Sequence, residues 1–142
     1  MLIVMAIVGA HAADADAAEA QLRVSVRVPA VVQLEAVDVP ARLLLSETDV
    51  KRGYKDLSAR YVVSQNTDRG WLLRLSPRLG LTRYIEIRGL AQTIVLQTDS
   101  LEVFNPRAKG PQTLALDYRF ILEPDARPGS YELPVHLSAT PL

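Results

Sequence analysis

In "LRVSVRV", Leu22, Val24, Val26 and Val28 alternate with Arg23, Ser25 and Arg27, and the same two-residue period returns along most of the chain. Successive side chains of a strand point to opposite faces, so this period predicts β-strands with one apolar and one polar face. After Pro29, "VVQLEAV" continues with Val32, Leu34 and Ala36 in phase, and "ARLLL" follows Pro40. "SETDVKRG" is polar and reads as a loop, although Ser46 and Asp49 have the spacing of a capping box for a short turn over Ser46–Val50. A short strand at Tyr54–Leu57, the strand "RYVVSQ" and a hairpin turn at "NTDRG" (Asn66–Gly70) come next.

The second half repeats the pattern. Trp71, Leu73 and Leu75 share a face; Ile85 and Ile87 oppose Tyr84 and Glu86; "TIVLQ" and "LEVF" are short strands. "TLALDYRFIL" is the clearest strand, with Leu114, Leu116, Tyr118, Phe120 and Leu122 opposite Thr113, Ala115, Asp117 and Arg119. The turn "EPDARPGS" leads into a final strand "YELPVHLSA", with Tyr131, Leu133, Val135, Leu137 and Ala139 on one side. Strands at intervals of roughly 8–12 residues, with no sustained helical period, predict an all-β fold. The expectation is a single immunoglobulin-like β-sandwich of about seven to nine mostly antiparallel strands over residues 21–142. Trp71, Leu73, Leu114, Leu116, Tyr118, Phe120 and Tyr131 are its expected core. Pro134 has no N–H to donate, so inside the last strand it would face outward and guard an edge.

The first residues follow another rule. "MLIVMAIVGAHAADA" has an apolar run from Leu2 to Ala10 and then small residues. The run is shorter than the ~20 residues a spanning helix needs. Ala10-His11-Ala12 fits the small-x-small cleavage rule, so residues 1–12 read as a signal peptide, with Ala13-Asp14-Ala15 as a second site, although no basic residue precedes the run. Residues 13–20 are then a short polar tail, and the mature chain is expected outside the cytoplasm.

Charge and chemistry narrow the function. Sixteen Lys plus Arg balance sixteen Asp plus Glu, with no basic cluster to attract nucleic acid or an anionic membrane. There is no cysteine, hence no disulfide, thiolate zinc site or thiol nucleophile. Past the leader His136 is the one histidine, on a strand's polar face near Ser138 but on no nucleophile elbow. The acids Asp68, Asp99, Asp125 and Glu86 are scattered, no calcium-loop pattern occurs, and the glycines sit singly, so no cofactor, metal site or catalytic set is expected. The sequence reads as non-enzymatic.

Two stretches carry a family resemblance. "LRVSVRVPAVVQLEAV" is a free alternating strand, a proline and a second strand, and "LALDYRFILEPDARPGSYELPVHLSATP" is a strand, a "PGSY" turn and a final strand. Following a signal peptide, this resembles the immunoglobulin-like pilin subunits of bacterial chaperone–usher fimbriae, from which it departs in having no cysteine and in Pro134. The resemblance implies a periplasmic or cell-surface structural subunit in a bacterium, working by strand-edge pairing with a protein partner or with itself. Leu22, Val24, Val26 and Val28 would form the pairing strand. The competing expectation is a monomeric exported binding module using its loops Asn66–Gly70 and Asn105–Gln112. The two differ on one point: whether Leu22–Val28 packs inside its own sandwich or projects from it beside an apolar groove.

Overall fold

A computed structural model describes residues 22–142; the leader, the polar tail and their cleavage sites lie outside the described residues. Ten strands and one short helix follow in the order β1 (Val32–Asp38), β2 (Leu43–Leu45), α1 (Glu47–Arg52), β3 (Tyr54–Gln65), β4 (Trp71–Pro77) and β5 (Thr82–Arg88). The rest are β6 (Ile94–Leu96), β7 (Leu101–Asn105), β8 (Gln112–Leu122), β9 (Gly129–Tyr131) and β10 (Val135–Pro141). All pairings are antiparallel. A five-stranded sheet runs β1-β3-β8-β5-β6 and a three-stranded sheet β10-β4-β7, with β2-β9 as a small ribbon.

The alternating faces meet between the two large sheets. Tyr61 and Val63 of β3, Leu116, Tyr118 and Phe120 of β8 and Ile85 and Ile87 of β5 close on Trp71, Leu73 and Leu75 of β4 and Val135 of β10 as one buried cluster. The chain is therefore an all-β sandwich. Trp71, Leu73, Leu116, Tyr118 and Phe120 are buried as their phase requires, while Leu114 and Tyr131 are half-buried at its margin. Tyr131 belongs to the β2–β9 ribbon, and its hydroxyl donates to the Arg127 carbonyl at 2.7 Å.

Several local expectations are corrected. The "SETDVKRG" stretch is a helix, not a loop. The Asp49 N–H donates to Ser46 Oγ at 3.1 Å and the Ser46 N–H returns to Asp49 Oδ2 at 2.9 Å, while Gly53 closes the helix at φ 82°. Acids in the first turn and bases in the last also suit the helix dipole. Six residues are too few to show a helical period, so only the capping pair could announce it. The strands expected at Tyr54–Leu57 and "RYVVSQ" are one strand of 12 residues, β3. "NTDRG" is not a hairpin turn, because β3 and β4 lie in different sheets. It carries the chain across the sandwich, with Gly70 at φ 93° where a Cβ would sit 2.5 Å from the Asn105 carbonyl oxygen. Pro134 guards no edge. It is buried in the turn between β9 and β10, its carbonyl accepting from the Arg78 N–H at 2.7 Å, so the final strand begins only at Val135.

Candidate strand-docking site

The site lies where the two sheets end on the same flank. β1 is bonded to β3 on one side and β10 to β4 on one side; among the described residues no strand pairs with the other side of either. In the immunoglobulin sandwich, sheets of order A-B-E-D and C-F-G enclose the core. Here β1-β3-β8-β5 follows the first order and β4-β10 the C-F pair, so the open side of β10 is the place of strand G. Between the edges is a groove of about 200 Å³ lined by Leu34, Ala36, Tyr61, Leu133, Val135, His136 and Leu137. Its lining mixes inward-phase apolar side chains of β1, β3 and β10 with polar surface that includes the exposed His136.

Tyr61 is among its buried lining residues, and the Tyr61 and Tyr118 hydroxyls lie 3.1 Å apart. Burial raises the pKa of both phenols, so both stay neutral at physiological pH. One hydroxyl donates to the other, so both oxygens are engaged and neither carries a charge.

The four residues expected to pair, Leu22, Val24, Val26 and Val28, form no strand and are 87%, 75%, 82% and 71% exposed. The expectation of a strand at Leu22–Val28 is therefore not met within this chain, although its alternation is intact. A lone extended segment has no ladder of hydrogen bonds to hold it. Asn66 fixes where the segment leaves the domain. Its Oδ1 accepts from the Val31 N–H at 2.5 Å, its own N–H donates to the Val31 carbonyl at 3.1 Å, and its Nδ2 donates to the Pro29 carbonyl at 2.9 Å. Sequence reasoning assigned Asn66 only to a turn; an asparagine directly after a long strand was the one available signal.

Charge follows the same geometry. Arg23, Ser25 and Arg27 occupy the polar phase of the segment, and Glu35 points out from β1 beside the groove with no ion pair among the described residues. Glu132, beyond the other edge, is engaged by Arg78.

Other polar clusters are self-contained. The Asp49 carboxylate takes the Ser46 N–H, Lys55 Nζ at 3.0 Å and Arg52 at 2.9 Å, and its pKa falls to about 2, the Ser46 backbone bond contributing most and the Lys55 bond next. On the outer face of the five-stranded sheet Arg119 clasps Asp56 through bonds of 2.7 and 2.9 Å and stacks on Tyr54, which also carries Arg52. The Arg119 bond holds the Asp56 carboxyl below the usual range. His136 is exposed, and among the described residues no three His, Cys, Asp or Glu side chains gather as a metal site. No helix among the described residues is long and apolar enough to cross a membrane. No protein-family model matches the chain, and neither a curated protein nor a solved structure matches it.

Proposed function

We propose that this protein is a non-enzymatic assembly subunit, exported and pilin-like, that presents Leu22–Val28 as a strand to the β1/β10 groove of a second copy. The supporting observation is the coexistence of an exposed segment with four alternating apolar residues and a groove lined largely by Leu, Ala and Val side chains beside two strand edges that no described strand pairs. Adding a strand supplies backbone bonds to one free edge, while the groove beside it takes alternate side chains. Burying four Val or Leu side chains gives roughly 6–12 kcal/mol at about 1.5–3 each, comparable with the cost of association. A second copy is the occupant that charge favours, because Arg23 and Arg27 share the segment's polar phase and Glu35, beside the groove, has no ion pair among the described residues. Export follows the leader-like first residues.

The test is Val24→Asp with Val26→Asp. Charges buried in the groove abolish association measured by light scattering, while the monomer's melting temperature stays unchanged. A large fall in that temperature would mean that the segment packs inside its own domain.

A further inference from the structure

An exposed segment in a chain that also carries the groove raises a further question, which rests on the reading just given: why does it not fold back? Two seatings beside β1 exist, parallel and antiparallel. Parallel neighbours need a crossover of about a dozen residues or more, and only Pro29, Ala30 and Val31 separate Val28 from Val32. The parallel seating is thus closed to the segment's own domain.

The antiparallel seating is a hairpin, and its register is fixed by the faces. Val32 and Leu34 pack against the core. Directly opposed residues share a face, so Val28, Val26 and Val24 reach the groove only opposite Val32, Leu34 and Ala36. A turn one residue shorter pairs Val28 with Val31 and sends Arg27 and Ser25 into the apolar groove instead. A shift by two residues pairs Val26 with Val32 around Val28-Pro29-Ala30, but Pro29 would then stand second in a type I turn and force Val28 out of the right-handed region. The turn that is left is Pro29-Ala30-Val31. Three-residue hairpin loops place their last residue in the left-handed region. That residue would be Val31, and a β-branched side chain is a steric outlier there; among the described residues positive φ occurs only at glycines. Val31 is also held by both its N–H and its carbonyl to Asn66, which turns it into an extension of β1 rather than a loop residue.

We infer that Pro29–Val31 is a locked elbow, in which Val31 and its Asn66 clamp act as positioning residues that bar Leu22–Val28 from its own groove and commit it to a second copy. The elbow would thus make the chain an assembling unit rather than a self-closed monomer, with no change to strand or groove.

The experiment compares the purified chain with Val31→Gly, and with a variant carrying about a dozen Gly/Ser residues between Ala30 and Val31. Glycine admits the left-handed turn; the long linker admits either seating and is informative even where Val31→Gly fails to fold. Both variants are expected to close on themselves. At equal concentration the oligomer fraction by light scattering falls at least tenfold, and the monomer melts at least about 5 °C higher. If the unaltered chain associates and the folded variants associate equally with unchanged melting, the elbow is not the barrier and the inference falls alone. If the unaltered chain stays monomeric at every concentration, the assembly reading falls and the inference with it.

Discussion

Strand β8 and the segment Leu22–Val28 carry the same pattern, apolar at every second position, and end in opposite states. In β8, Leu116, Tyr118 and Phe120 are buried, and the backbone is bonded to β3 on one side and β5 on the other. In the segment every apolar residue is exposed and no ladder forms. Alternation encodes which face a strand would bury; neighbours decide whether the strand exists. β8 has neighbours within its own chain, whereas the segment, tied to the domain by Asn66 at Pro29 and Val31, pairs with no described strand. The difference lies in connection and turn chemistry rather than in local preference.

The strongest way to break the comparison is to truncate equivalent positions. Leu116→Ala is expected to cost about 2–5 kcal/mol in denaturant unfolding, the range for a buried leucine replaced by a cavity. Val26→Ala in the dilute monomer should stay within about 0.5 kcal/mol, as for an exposed residue. Equal costs would erase the distinction between the two regions.

A second probe sharpens it with a part of the domain that lies away from the groove. Asp49→Ala removes half of the α1 capping box and is expected to cost about 1–2 kcal/mol. The same residue sets an acid dependence. Its folded pKa of about 2 lies below an unfolded value near 3.9. Its contribution is therefore fully present above about pH 4 and is lost as pH falls toward 2. Urea midpoints taken between pH 5 and pH 2 should fall less steeply in Asp49→Ala than in the unaltered chain. Parallel slopes would show that Asp49 carries no such linkage. Asp49→Ala should not change which surface the segment can dock on, since Asp49 lies outside the groove lining.

The strands were legible because their period is strict: Trp71, Leu73 and Leu75, or Leu116, Tyr118 and Phe120, are buried as their phase demands. What the pattern hides is connection. Nothing in the period distinguishes a hairpin from a crossing between sheets, so "NTDRG" reads as the first and forms the second. Pro134 shows a related limit: its effect on a strand depends on whether the strand has begun, and β10 begins one residue later. The segment proposed to dock was visible as Leu22, Val24, Val26 and Val28, whereas the proposed groove was not, because Leu34, Tyr61 and Val135 meet only through pairings distant in sequence. Asn66 was hidden for the same reason, since its partners Pro29 and Val31 lie 37 and 35 residues away.

Amide hydrogen exchange across residues 22–28, followed at rising protein concentration, tests the central claim most directly. In dilute solution the amides should exchange at the rate of an unstructured peptide, while those of β8 remain protected. As copies associate, the segment should gain protection together with the free edge it pairs with, on β1 or β10. Protection of residues 22–28 in the dilute monomer would contradict the account, and so would association that leaves them unprotected.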